Sequence, residues 1–219
     1  MDGETFWTPV RLSLQISFVS SLLVLALGIV AAWRMSRRSF RGKTFVETAF
    51  MLPLVLPPTA VGFLLLTVLG RKNGLGRLLE AVGFPLVFTW QGAVVASVVV
   101  AFPLVYRTMK AGFDAVDRDL EDAGRSIGAS EWQVFRHIAL PLAAPSLLSA
   151  YVLGFARCLG EFGATLMVAG NIPGRTQTMP TAIYLAIDTG HAPLAWAWTV
   201  STIVVSFLLL LFTGIKKRE

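Results

Sequence analysis

The chain has 219 residues, of which 55% are apolar and only 15% charged, and a formal net charge of +6. So much apolar content with so little charge argues against a water-soluble domain. The positive balance does not point to nucleic acid, because no basic patch with interleaved aromatics remains once the basic residues at the ends of apolar runs are set aside.

The first apolar run, Leu12 to Trp33, is closed by Arg34, Arg37, Arg38, Arg41 and Lys43. A cleaved leader would carry basic residues before the run, whereas Asp2 and Glu4 stand there, so the run is expected to remain as a span. Further runs cover about Thr44 to Leu69, Phe88 to Val105, Leu147 to Ala169 and Leu194 to Ile215. Each is close to the roughly 20 residues that a helix needs to cross hydrocarbon. Five spans put the termini on opposite sides. With the N-terminus outside, thirteen of the nineteen basic residues fall in the cytoplasmic segments 34–43, 107–137 and 216–219, against five in the outer segments. Lys and Arg near span ends resist translocation, so the expected fold is an all-α, five-span membrane protein with N-terminus outside and C-terminus cytoplasmic. Residues 1–219 read as one transmembrane domain.

Within the second run, Pro53, Pro57 and Pro58 remove backbone donors and should kink or break the helix near mid-membrane. Freed backbone groups are tolerated in lipid only against protein or a wet cavity. Pro57 and Pro58 are therefore pathway candidates, with a purely structural kink equally open. The third run aligns Ala93, Ser97 and Ala101 on one helix face and Gly92 and Ala96 on another, as close helix packing requires. The fourth carries Arg157 and Glu161 at i and i+4, which normally pair or face a cavity when placed in hydrocarbon. These two and Thr165 are gate candidates, with structural pairing as the other reading. Cys158 has no partner for an intrachain disulfide, and His137 and His191 lack ligand spacing, so no metal site is expected.

Between the third and fourth runs, residues 114–141 are charged and amphipathic. They read as two short helices joined at Gly128, with Trp132 and Phe135 exposed. Asp114, Asp117, Asp119, Glu121 and Asp122 would repel anionic headgroups, which favours a protein partner over a lipid surface. Gly128 can take a backbone conformation costly for other residues, and Glu121 is expected to accept hydrogen bonds that hold the first short helix in register.

In this loop, Glu121-Asp-Ala-Gly-Arg-Ser-Ile-Gly128-Ala-Ser followed by Ile138-Ala-Leu-Pro141 resembles the EAA signature of permease subunits of ABC importers, with Asp122 replacing the commoner alanine. Leu52-Pro-Leu-Val-Leu-Pro-Pro-Thr-Ala-Val-Gly62, Ala156-Arg-Cys-Leu-Gly-Glu-Phe-Gly-Ala-Thr165 and Asn171-Ile-Pro-Gly-Arg-Thr-Gln-Thr-Met-Pro-Thr-Ala-Ile-Tyr184 are similar to the molybdate permeases of bacteria, with sulfate and tungstate permeases as close relatives. The resemblance implies a coupling loop in which Glu121, Ala123, Gly128, Trp132, Phe135 and Pro141 engage a cytoplasmic ATPase. It also implies a homodimeric pathway in the bacterial inner membrane and an extracytoplasmic oxyanion-binding protein. ATP and Mg belong to the partner, since this chain has no Gly-x-x-x-x-Gly-Lys-Ser/Thr loop and no cofactor is expected in it. An intramembrane enzyme would need a paired acid set or a His cluster in the spans, and none is present in the sequence. A membrane scaffold that binds a cytoplasmic partner without an ATPase cycle remains the reading from another class.

Overall fold

In hydrocarbon every backbone N–H and C=O must be paired internally, so long apolar runs coil into helices. The computed structural model describes residues 3–215, and every regular element among them is helical. Asp2, Lys216, Lys217 and Arg218, used above to read topology, lie outside the described residues.

The helices are α1 (Gly3–Arg37), α2 (Lys43–Val55), α3 (Pro58–Leu69), α4 (Gly74–Ala81), α5 (Trp90–Asp114), α6 (Arg118–Ser126) and α7 (Glu131–Val134). A π-helical turn over Phe135–Ala139 leads into α8 (Leu140–Leu159), followed by α9 (Gly163–Ala169), α10 (Met179–Asp188) and α11 (Ala192–Ile215). Four helical stretches are long and apolar enough to cross a membrane: Thr5–Arg37, Trp90–Asp114, Glu131–Leu159 and Ala192–Leu211. The pair α2 and α3 makes a fifth if counted together, but it bends by 113°.

Helix α5 is longer than the third apolar run suggests, because it continues through Arg107 and Lys110 to Asp114. Lys110 pairs there with Asp114 at 2.7 Å, so its charge is matched where the helix leaves the apolar region. The expected fourth span is corrected more deeply. Its helix begins at Leu140 and stops at Leu159, and α9 restarts at Gly163, so the expected continuous run Leu147 to Ala169 is broken. The turn that precedes α8 has a local cause. Pro141 cannot donate and would crowd the carbonyl four residues earlier, and the wider π turn, closed by Leu140 N donating to Phe135 O, accommodates it.

Helix α5 is the axis of the bundle, packed by α1, α8 and α9. Lipid tails are as apolar as leucine, so close approach rather than water exclusion holds such helices together. The small residues are placed accordingly: Gly92, Ala93, Ala96, Ser97 and Ala101 are all buried. A Cβ on Gly112 of α5 would lie 2.4 Å from Ser146 Cβ of α8, and one on Gly154 of α8 would lie 2.7 Å from Val105 Cγ2 of α5. Around these contacts Val24, Val105, Met109, Phe113 and Ala143 form the main core. Helix α11 is peripheral, largely exposed along Ile203, Phe207 and Leu208. Trp198 Nε1 anchors it by donating to Phe6 O at 3.0 Å, with the two rings stacked.

Candidate functional site

The two sets of residues singled out by sequence occupy separate places: one at the basic end of α1, the other where two helix breaks meet.

At the basic end, α6 lies with its polar side inward. Glu121 is only 1% exposed, and its carboxylate accepts from Arg37 Nε at 2.9 Å to both oxygens and also from Arg37 Nη2. Arg37 is itself held by donation to Phe113 O and Ser36 Oγ, each at 2.9 Å, and lies over the Trp33 ring. Glu121 therefore pins α6 to the ends of α1 and α5. Gly124, on the same side, faces Ile138, whose Cδ1 would be 2.7 Å from an added Cβ. The opposite side carries Leu120, Ala123 and Ile127, all exposed, Ile127 at 88%. Spacings of three and four residues put them on one face, so α6 shows its apolar stripe outward.

Gly128 takes φ +93, and among the described residues nothing beyond its chain neighbours lies within 4 Å of an added Cβ. Its N–H donates to Arg125 O at 2.9 Å and that of Ala129 to Gly124 O at 3.1 Å, the paired bonds of a Schellman ending. Glycine is required here by conformation, since no neighbour crowds it. Ser130 then starts α7 with a capping box to Gln133. Arg125 spans the turn, donating to Asp122 at 2.6 Å and Glu131 at 2.7 Å, and reaching Glu121 at 3.4 Å. The hydrogen bonds to Glu131, and after them those to Asp122, outweigh partial desolvation and hold the Arg125 guanidinium above its ordinary pKa.

The expectation of two exposed aromatics is corrected for one of them. Trp132 is 63% exposed, whereas Phe135 is half-buried, its ring 5.2 Å from that of Trp33 and 6.3 Å from that of Phe113. The reason is that the chain turns inward into the π segment at Phe135. Pro141 is exposed at the start of α8. Arg37 and Arg125 were legible only as topogenic charge; the signal that would have found them is an acidic residue, Glu121, on the side of α6 that the bundle covers.

At the other place, the chain breaks twice. Leu56 and Pro57 are extended between α2 and α3, with Pro58 at the first position of α3, where a missing N–H costs nothing. Pro53 stays inside α2, so the break belongs to Pro57 and Pro58 alone. The second break, Gly160 to Phe162, separates α8 from α9. The two meet: an added Cβ on Gly163 would lie 3.2 Å from Pro58 Cβ, and one on Gly62 would lie 2.7 Å from Met167 Cβ and 2.8 Å from Ala164 Cα. Arg157 Nη1 and Glu161 Oε2 are 2.6 Å apart, and Glu161 Oε1 accepts from Ala164 N at 2.9 Å, so one buried carboxylate ties α8 to the first turn of α9. One turn further on, buried Thr165 lines a cavity of about 10 Å³ with Ser17 and Ser97, and the three hydroxyls lack hydrogen-bond partners among the described residues. Pro57 and Pro58 are exposed on the protomer surface.

The sequence profile described as "Binding-protein-dependent transport system inner membrane component" matches residues 24–218. The chain is 55% identical over its whole length, and 97% of the relative's, to the "Putative molybdenum transport system permease protein YvgM" of Bacillus subtilis (strain 168). It is 46% identical to the "Molybdenum transport system permease protein ModB" of Escherichia coli (strain K12), covering 84% of this chain and 80% of that one. Its fold is similar to a chain of a bacterial ABC transporter involved in the import of the acidic polysaccharide alginate, with TM-score 0.81 and 18% identity over 100% of this chain and 80% of that one.

Proposed function

Since this chain belongs to the family of binding-protein-dependent transport system inner membrane components, we propose that it is the permease subunit of an ATP-driven importer of molybdate. Two copies form the pathway, ATPase subunits bind at α6 and α7, and an extracytoplasmic protein delivers the oxyanion. As an ABC permease it is the non-catalytic, multi-pass subunit, and hydrolysis belongs to the partner. The cargo rests on one observation, the full-length resemblance to a molybdenum transport permease.

The chain crosses five times as one transmembrane domain, N-terminus outside, with the coupling loop 114–141 in the cytoplasm. The lopsided basic residues support this orientation, as does the attachment of α6 to the Arg37 end of α1. The outward stripe of Leu120, Ala123 and Ile127, with Trp132 beside the turn, suits an apolar socket on an ATPase. A homodimer is supported by α2, which has no buried residue in the protomer, and by the exposed Pro57 and Pro58. The breaks at these prolines and at Glu161 are the proposed pathway wall and gate. A dianion should bind tightly in the delivery protein and weakly here, because a deep well would slow exit.

The test is uptake of labelled molybdate, tungstate and sulfate by the reconstituted complex. Molybdate should be taken up preferentially; a preference for sulfate would overturn the cargo. Absence of ATPase stimulation by loaded binding protein would favour the scaffold reading instead.

A further inference from the structure

Along α1 the exposed residues recur at every fourth position: Leu14, Phe18, Leu22, Ala26 and Val30, then Arg34 and Arg38. The stripe is bracketed by exposed Arg11 and Arg34. At 1.5 Å per residue these two are roughly 35 Å apart, close to the thickness of a hydrocarbon core. Arg34 and Arg38 thus continue the lipid-facing line into the headgroup layer.

Beside them opens a cleft of about 650 Å³ between the end of α1 and the α6–α7 turn. Its lining includes five arginines and three carboxylates. The carboxylates are already committed: Glu121 to Arg37, and Asp122 and Glu131 to Arg125. The side chains of Arg34, Arg38 and Arg118 are exposed and make no ion pair or hydrogen bond among the described residues. The acidic side chains that would make this loop repel a headgroup are therefore neutralised where they face the cleft. Its wall on the bilayer side is apolar, formed by Ile29 and Val30 with Trp33.

We propose that this cleft binds the headgroup of an anionic phospholipid, its phosphate between Arg34, Arg38 and Arg118 and its acyl chains along Ile29 and Val30. Guanidinium groups match phosphate oxygens in geometry as well as charge. A soluble phosphate would use the arginines and leave the apolar wall unused, which is why the lipid is preferred. The inference rests on the membrane-spanning character of α1 and is independent of the cargo. The bound lipid would bridge α1 and α6 beside the Arg37–Glu121 attachment.

The experiment is native mass spectrometry of the intact complex released from bilayers of equal phosphatidylglycerol and phosphatidylcholine. The wild type should retain phosphatidylglycerol in clear excess. Each basic residue near an anionic surface contributes about fivefold to binding, so Arg34→Gln/Arg38→Gln/Arg118→Gln should lose the excess by tenfold or more. Arg34→Lys/Arg38→Lys/Arg118→Lys keeps the charge and the topology signal but not the planar fork, and should keep more of the excess than the Gln variant. Arg11→Gln, at the opposite end, should change nothing. Equal retention of the two lipids by the wild type, or an equal loss in the Lys and Gln variants, would overturn the proposal. Displacement of the lipid by millimolar inorganic phosphate would overturn it in favour of a free anion.

Discussion

The α6–α7 segment and the α3–α9 junction are both fastened to the same bundle, the first by charge and the second by the absence of side chains. Glu121 is held through donors on Arg37, an anchor strong enough to let the rest of α6 turn its apolar stripe outward. At the junction, α3 and α9 approach until a Cβ at Gly62 would not fit and one at Gly163 would be tight. An ionic anchor holds an element in place while leaving its far face free to meet a partner. Steric contact fixes the spacing of two backbones, which is what the wall of a pathway needs. The two regions should therefore fail differently when altered.

The largest effect should come from the ion pair. Removing one member of a buried, hydrogen-bonded pair leaves the other charged and unmatched, at a cost of about 3–5 kcal/mol. Glu121→Ala or Arg37→Ala should release α6 and lose the ATPase on purification, while the protein still inserts and dimerises. The paired replacement Arg37→Met/Glu121→Leu should be less damaging than either single change, because no charge is stranded. Co-purification and thermal stability of the three variants in detergent check this. Equal loss in the double variant would mean that the apolar pair fails to seat α6.

Next is Gly62→Val. With an added Cβ 2.8 Å from Ala164 Cα, a backbone must move, and overpacking of this kind costs about 1–3 kcal/mol. Here the ATPase should stay bound while molybdate uptake falls sharply, the reverse of the Glu121 result. Uptake and co-purification measured on the same preparation decide it; loss of both would merge the two regions into one.

Much of this division is legible in the sequence. The proline break at Pro57 and Pro58, the small-residue faces of α5 and the hinge at Gly128 all follow from local rules that need no knowledge of the neighbour. What was not legible depends on contacts far apart in the chain. Glu121 and Arg37 are 84 residues apart, and nothing local distinguishes that arginine from Arg34 or Arg38. The break at Gly160 was hidden because Leu147 to Ala169 carries no charge apart from Arg157 and Glu161, and hydropathy does not register a carboxylate that caps the next helix. Phe135 was misplaced for a similar reason: its helical spacing with Trp132 is real, but the π turn and Trp33 draw it inward.

The smallest effect in the loop should come from the hinge. A non-glycine residue in the left-handed region costs roughly 1–2 kcal/mol, and Gly128 has open space around it. Gly128→Val should weaken ATPase binding partly by tilting α7, and Gly128→Asn, which tolerates that conformation, should do so less. Titrating the ATPase against each variant in nanodiscs gives the order; identical affinities for both would show that the conformation at residue 128 does not control docking.

Whether α6 is anchored by its charged side so that its apolar side can receive the ATPase is decided at Ile127. At 88% exposure this side chain contributes almost nothing to the protomer's own packing, so Ile127→Asp should leave insertion, dimerisation and thermal stability unchanged. The measurement is the number of ATPase subunits bound per permease dimer after purification from membranes. Ile127→Asp should lose most of the bound ATPase; full occupancy with a normally folded dimer would show that this face of α6 does not receive it.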